Sequence, residues 1–403
     1  MLYLLEIENF YSIRHSQVID LRIGEGVPEE ERRFDRLFPG SNDRAARVVG
    51  FFGPNASGKS TVLKALMFVA WFTRESFQVQ PQASLPFERF NSAEAREHPT
   101  RLAIEFSGPI DLTSKDFSEE SPQGSWRYEL IMEHRDNRLV VKSESLKQKH
   151  EGKGKWVRVF DRSGHKVQAG KSFGLAGFSM VIDKVRENAS LISTLAQFDH
   201  PPSLKLREAA QSIVGNILVE RADVTDPDAI RFYTNNRACV EALNREIQRI
   251  DLGIRSMQIK QDASGSALYF EHEGLDQLMP WVLESHGTRN FIKYFPYLHT
   301  ALESGGIAVI DELDIAIHPL VLPEMIRWFY DAKRNPRKAQ LWMSCHAASL
   351  LEDLFKEEIF FCEKNSQGET RVYGLQDIKD ARRTDNRYRK YLSGVYGAVP
   401  QIG

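Results

Sequence analysis

The 403 residues predict an α/β fold with a mainly parallel core sheet, an antiparallel β lobe and a helical insertion. Three stretches carry that expectation. The apolar run Val48–Phe52 leads straight into a glycine-rich loop and then a helical pattern. Ile307–Ile310 is four apolar residues ending in Asp311-Glu312. Gln340–Ser344 is a third short run, and it delivers His346 to its end. Short, near-continuous apolar runs are the habit of strands buried on both faces, as in parallel sheets.

The N-terminus, "MLYLLEIENFYSIRHS", turns charged after five residues, too early for a signal peptide. No run approaches the roughly 18 apolar residues of a membrane span, so the expectation is a cytoplasmic protein with no membrane partner. Hydrophobic residues are 42% and charged residues 27%, an ordinary soluble mix. The formal net charge of −2 gives no bulk argument for nucleic acid, so any basic surface must be local. Cys239, Cys345 and Cys362 have no metal or paired spacing and read as reduced thiols.

The stretch "GPNASGKS" fits G-x-x-x-x-G-K-[ST], which arises by chance in roughly one or two per cent of chains this long. Its context is the one the chemistry needs, with a strand before it and a helix after it. Leu63, Leu66, Met67 and Ala70 lie along one face of that helix. The glycines let backbone N–H groups wrap phosphate oxygens, and the helix N-terminus adds its positive dipole end. Gly53, Pro54, Asn55, Ala56, Ser57, Gly58, Lys59, Ser60 and Thr61 are therefore the candidate nucleotide-binding residues. Lys59 would pair with the β- and γ-phosphates, and Ser60 would ligate Mg²⁺.

An acid at the carboxyl end of a parallel strand lies in the crevice where ligands bind. Asp311 is the candidate Mg²⁺ holder through water, and Glu312 the candidate base that polarises the attacking water. An isolated Asp-Glu pair more often caps the next helix; beside a phosphate loop the metal reading is the better one. A lone histidine is more often structural, but the order strand, acid pair, helix, strand, histidine makes His346 a candidate donor to the γ-phosphate.

Residues 100–162 read as antiparallel β, with turns at Asp136-Asn137 and Gly152–Gly154. Residues 180–250 read as mostly helical, with Ile230, Tyr233, Val240, Leu243 and Ile247 at rough helical spacing. Sustained heptads are missing, so a compact helical arm is expected rather than a coiled coil. The expected division is 1–165, an insertion over 166–255, and 256–403. Three basic clusters are read as solvated faces or a nucleic-acid track. They are Lys147, Lys149, Lys153, Lys155 and Arg158; Lys333, Arg334, Arg337 and Lys338; and Arg382, Arg383, Arg387, Arg389 and Lys390.

The phosphate loop "GPNASGKS", the acid pair "VIDE" and the late "SCH" together resemble an ABC-type ATPase head, of the SMC/RecF/OLD branch rather than the transporters. "LEIENFYSI" is similar to the strand that opens that branch. The resemblance covers most of residues 1–110 and 265–403. It implies slow, assembly-dependent hydrolysis of ATP with Mg²⁺ by a head-to-head dimer or higher homo-oligomer. It also implies a signature loop ahead of a helix, which "ESHGTRN" supplies through Ser285, Gly287 and Thr288. In that family the signature contacts the γ-phosphate held by the second protomer. A serine hydroxyl and backbone N–H groups at a helix start make a suitable anion cradle. The same residues also suit an ordinary N-cap.

The transporter-type LSGGQ is absent. Gln78, Gln80 and Gln82 are the possible Q-loop residues, Asp314 and His318 the possible D-loop residues, and Arg289 a candidate charge sensor in trans. Only 57 residues follow His346, too few for a TOPRIM-type nuclease domain, so an effector nuclease or toxin is expected on another chain. The tail "RYRKYLSGVYGAVPQIG" is similar to the ending of stand-alone ATPases of bacterial phage-defence operons. The functional expectation is a sensor or regulatory ATPase of such a system. The alternatives are a RecF-like repair ATPase that binds DNA through the basic clusters and a scaffold that holds ATP as a structural ligand.

Overall fold

Six strands make the core sheet, in the order Ile213–Gly215, Ile307–Ile310, Gln340–Ser344, Val48–Phe52, Ile359–Lys364, Thr370–Gly374. The first five run parallel and the last is antiparallel. The computed structural model describes residues 1–403 except 25, 29–31, 115–120, 151–153, 251–252, 263–264 and 401–403. The three runs that predicted the sheet are strands over the expected residues, and every residue of all three is buried. The phosphate-loop strand and the acid strand do not touch; Gln340–Ser344 lies between them. That order brings the carboxyl ends of all three strands to one edge of the sheet.

The helix Lys59–Glu75 packs its apolar side on this sheet, with Leu63, Leu66, Met67 and Ala70 all buried. Against its other flank lies a seven-stranded antiparallel sheet that includes Leu2–Glu8, Thr100–Pro109, Gln123–Arg135 and Arg138–His150. Asp136 and Asn137 both sit at positive φ, 49° and 60°, as a two-residue hairpin turn demands. The other expected turn, with Lys153, lies partly outside the described residues. One apolar cluster joins the antiparallel lobe to the phosphate-loop helix, and a second fills the opposite face of the core sheet.

Residues 180–250 are not helical throughout. The helix Pro201–Gln211 stops, and Ile213–Gly215 forms an edge strand paired with Ile307–Val309. Its apolar pattern runs on from the helix, but the exposed edge of the acid strand offers hydrogen bonds that a further helical turn would forgo. The helices Asp226–Asn235 and Arg237–Ile250 follow. Tyr233, Leu243 and Ile247 are fully buried, while Ile230 and Val240 are half-buried at the rim of the same cluster. Tyr233 donates its hydroxyl to the Ile292 carbonyl at 2.7 Å, tying this helical pair to the helix His286–Ser304.

Candidate nucleotide-binding site

The loop after Val48–Phe52 turns sharply because two of its glycines adopt conformations other residues avoid. Gly53 has φ 146° and Gly58 φ 103°. A Cβ on Gly53 would fall 2.2 Å from the Cys362 carbonyl oxygen, and one on Gly58 2.2 Å from Thr370 Oγ1. The loop is thus pressed against the neighbouring strands and leads directly into the helix N-terminus at Lys59. Lys59 is 5% exposed. Its ammonium donates to the carbonyls of Gly53 at 2.8 Å and Pro54 at 3.0 Å, spanning the loop. Burial draws its pKa below the ordinary lysine value, against the pull of Cys362, Asp311, Glu312 and Asp314. Ser57 Oγ is buried with no hydrogen-bond partner in the chain, a polar atom suited to a phosphate oxygen.

Asp311 is 4% exposed and is reached from three elements. Ser60 Oγ lies 3.0 and 2.9 Å from its two carboxylate oxygens. Ser344 Oγ donates to it at 2.6 Å and accepts from the Glu312 N–H at 2.7 Å. The side chain of Asn216 clamps the Asp311 backbone from both sides, at 2.7 and 3.0 Å. One carboxylate and one hydroxyl is the sparse protein share that Mg²⁺ takes when phosphates and waters complete its octahedron. Among the described residues no group of three or more potential metal ligands occurs.

Glu312 sits at φ 54°, a left-handed conformation rare for its type. The turn swings its carboxylate toward His346, 3.7 Å away, and into contact with Arg221. The backbone N–H groups of His346 and Ala347 both donate to Asp314, at 2.9 and 2.7 Å. Asp314 therefore positions the histidine loop of its own chain. His318 is exposed.

Asn55–Thr61, Glu312 and His346 line one open cleft of about 700 Å³. Its far wall is Tyr11, Ser12 and Glu88–Asn91, where Arg89 and Phe90 could flank a base. The stretch "ENFYS" was the available signal for that wall. Asn9, at φ 51°, donates to the Ala95 and His98 carbonyls and accepts from Phe90 N–H, which fixes the 88–98 loop. Gln78, Gln80 and Gln82 do not line the cleft.

Ser285, Gly287 and Thr288 lie elsewhere, in a separate pocket of about 270 Å³ with Ala316, Ile317 and His318. Ser285 N-caps the helix, its Oγ accepting from Thr288 N–H at 3.0 Å. The helix begins at His286, directly after the capping serine. A Cβ on Gly287 would lie 2.5 Å from the Ala316 carbonyl, so the loop after the acid pair rides on the glycine. Arg289 faces Asp226 of its own chain at 3.6 Å.

Four residues of the second and third basic clusters are engaged within the chain, while Lys155, Arg158, Lys333, Arg337, Lys338, Arg382 and Arg389 are exposed. Arg334 meets Glu246 and Glu324, Arg383 meets Glu357, Lys390 meets Asp385, and Arg387 donates to the Leu351 and Glu352 carbonyls. Lys149 lies over the Trp156 ring. All three cysteines are buried and unpaired, and burial pushes the Cys239 and Cys362 thiols up to about 12. No helix among the described residues is long and apolar enough to cross a membrane.

A strand, glycine-rich loop and helix, with an acid pair and a histidine on the adjoining parallel strands and an antiparallel lobe behind, define a P-loop ATPase head of the ABC type. Residues 48–352 match the model of the family described as "AAA domain, putative AbiEii toxin, Type IV TA system", and the chain belongs to that family. A search of the curated proteins finds no match. Among solved structures the chain is similar to the SMC head domain from Thermotoga maritima, at 14% identity and TM-score 0.43 over 93% of this chain and 98% of that one. It is also similar to an SMC head bound to the C-terminal winged-helix domain of ScpA, at 14% identity and TM-score 0.45 over 93% and 97%. A third is an SMC head with an extended coiled coil bound to the C-terminal domain of ScpA derived from Pyrococcus furiosus, at 12% identity and TM-score 0.44 over 98% and 99%.

Proposed function

We propose that this chain binds and hydrolyses ATP with Mg²⁺ as a head-to-head dimer or higher homo-oligomer. In this reading it is the sensor or regulatory subunit of an anti-phage system that holds or activates a separate nuclease or toxin. The observation that carries the ATPase part is the meeting of Lys59, Ser60, Asp311, Glu312 and His346 at one cleft. Lys59 and the loop N–H groups hold the phosphates, and Thr61 stands in the first helical turn behind them. Bound Mg²⁺ supplies positive charge to the β- and γ-phosphate oxygens. Ser60 and Asp311 seat it, Glu312 orients the attacking water and His346 senses the γ-phosphate. Phosphoryl transfer asks the protein mostly for such positioning and charge stabilisation.

The dimer part is supported by what the cleft lacks. Ser285–Thr288 open on another pocket, so in one chain they serve no nucleotide, while across a two-fold they supply a second helix N-terminus to the partner's γ-phosphate. ATP then shifts the population toward the closed pair only through contacts made in that state. The defence setting draws on the family's description as a putative AbiEii toxin of a Type IV TA system, while the separate effector belongs to this proposal alone. The same assignment places the chain in the cytoplasm, with the head divided as 1–165 and 256–403 around the 166–255 insertion. The alternative is a DNA-repair ATPase that binds DNA through the basic clusters; Arg334, Arg383, Arg387 and Lys390 have internal partners, so that surface would fall to the exposed members such as Lys333, Lys338, Arg382 and Arg389.

The test is the assembly mass by light scattering for Glu312→Gln with and without ATP-Mg²⁺, repeated with Ser285→Arg added. ATP-driven association that Ser285→Arg abolishes is expected. Association indifferent to Ser285→Arg leaves that loop as a helix cap and sinks the trans assignment.

A further inference from the structure

The carboxylate of Glu312 is already engaged in this chain. Arg221 contacts its Oε2 through a guanidinium nitrogen, with both side chains about 30% exposed. Arg221 ends a short hairpin that starts at Asn216, the residue that clamps Asp311. The hairpin is closed by Ala222 N–H on the Asn216 carbonyl at 2.6 Å and by pairing of Ile217 with Arg221. Its root is therefore fixed to the acid strand, and Arg221 reaches the acid pair from that root. Arg221 holds a second carboxylate at the same time. Its Nε lies 3.2 Å from Asp223 Oδ1, on a side chain 82% exposed.

After Arg221 the chain runs through four irregular residues to Asp226, the first residue of the next helix. Asp226 binds Lys293 at 2.7 Å and Arg289 at 3.6 Å, both on the helix that Ser285 caps. Burial raises the Asp226 pKa, but Lys293 and the other neighbours outweigh it, and the carboxyl is held below its ordinary value. Six residues, Arg221 to Asp226, thus join the candidate base to the candidate signature helix. A general base must bring an oxygen within hydrogen-bond reach of the water it activates. With Oε2 accepting from Arg221 and Oε1 turned toward His346, Glu312 is held away from that task.

We propose that residues 216–226 form a latch in which Arg221 holds Glu312 idle, and that movement of the Ser285-capped helix against a second copy of this chain, pulling through Asp226, draws Arg221 off Glu312 while it stays on Asp223, and so frees the base. The latch rests on the ATPase reading above. It deepens that reading by explaining how turnover waits for assembly. It is a local element with a bonded and a released state, of the kind that regulatory couplings need.

The test compares steady-state ATP turnover of the full chain and of Arg221→Ala, Arg221→Lys and Asp226→Asn across protein concentration. Arg221→Ala is expected to raise turnover per chain at least fivefold at concentrations where the parent is monomeric and to flatten the rise with concentration. Arg221→Lys keeps most of the restraint, and Asp226→Asn blunts the response to assembly. A readout without turnover is the thermal shift in nucleotide-free buffer of Arg221→Ala, Glu312→Ala and the pair. The contact predicts that Arg221→Ala lowers Tm in the parent and not in the Glu312→Ala background. Turnover by Arg221→Ala that is unchanged, or lowered with ATP binding intact, overturns the latch; so do fully additive Tm shifts. Parent-like turnover by Glu312→Gln instead removes the base assignment itself, a failure of the ATPase reading that the Arg221 variants do not produce.

Discussion

Ser60 Oγ and Asp311 Oδ2 stand 2.9 Å apart although 251 residues separate them in the chain. The hydroxyl comes from the first turn of the phosphate-loop helix and the carboxylate from the end of a strand two places away in the sheet. Only the parallel order of the core sheet makes them neighbours. These are the two groups that would hold a divalent ion arriving with a nucleotide at this point.

Asp311→Asn keeps the shape and removes the charge. ATP affinity in Mg²⁺ is expected to fall roughly 10–100-fold, the usual cost of losing a partner just outside the metal's own ligands. In EDTA the two proteins should bind ATP alike. Titration calorimetry under both conditions checks this, and an equal loss in both would point to a damaged loop rather than a metal seat.

Much of the site was legible because its parts are local patterns. The strands Val48–Phe52, Ile307–Ile310 and Gln340–Ser344 are short apolar runs closed by glycine, acid or serine, which the buried side of a parallel sheet requires of any sequence. Ser285 was legible as a helix start for the same reason. Ile213–Gly215 was not, since three residues continuing an apolar helical pattern become a strand only through the partner strand at Ile307. Asn216, Arg221 and Ser344 were missed because each is a single polar residue whose meaning is a contact with Asp311 or Glu312 across the fold. The far wall of the cleft was half-legible. Asn9 stood in a recognisable stretch, while Arg89 and Phe90 reach the cleft only because Asn9 folds their loop back.

Glu144 and Arg162 form an ion pair with neither side chain exposed. Glu144 also accepts from Tyr128, Ser190 and the Leu191 N–H, and Arg162 donates to the Ala189 and Arg186 carbonyls. The pair thereby fastens the antiparallel lobe to the helix Leu191–Ala196. Glu144→Ala or Arg162→Ala leaves the other charge buried alone and should cost about 3–5 kcal/mol. Urea unfolding measures it; a loss under about 1 kcal/mol would mean that the lobe is anchored by its apolar cluster instead.

His200 gives the fold an acid limit. Its ring is 1% exposed. Nε2 donates to the Phe173 carbonyl at 2.7 Å, and Nδ1 then accepts from Ser203 Oγ at 2.8 Å. Burial draws the imidazole pKa below its ordinary 6.5, against the pull of the backbone at Phe173 and Gly174. The unfolded chain therefore takes up a proton near pH 6.5 that the folded chain refuses. The contribution is complete above that pH and is lost as pH falls below it, at up to about 1.4 kcal/mol per pH unit until the folded ring also protonates. Urea midpoints at pH 7.5 and 5.5 should diverge for the parent and diverge less for His200→Gln. Equal divergence would assign the acid sensitivity to other groups.

Gly58→Ala should separate the demands of the phosphate loop from those of general stability. The new Cβ would sit 2.2 Å from Thr370 Oγ1 and 2.6 Å from Thr370 Cγ2, at a φ of 103° that alanine resists. Thr370 cannot easily step aside. It is 4% exposed, and its hydroxyl is bonded to the Ser57 carbonyl at 2.9 Å and to Ser12 Oγ at 2.8 Å. Backbone strain alone costs about 1–3 kcal/mol. The displaced threonine adds the loss of a buried hydrogen bond, about 1 kcal/mol more. Adding Thr370→Ala removes the Oγ1 and Cγ2 clashes, but neither the close contact with its Cβ nor the φ penalty. Gly58→Ala/Thr370→Ala should therefore recover part of the stability without recovering ATP binding. Recovery of both in the double variant would show that the left-handed turn at Gly58 is dispensable and that only the space beside Thr370 matters.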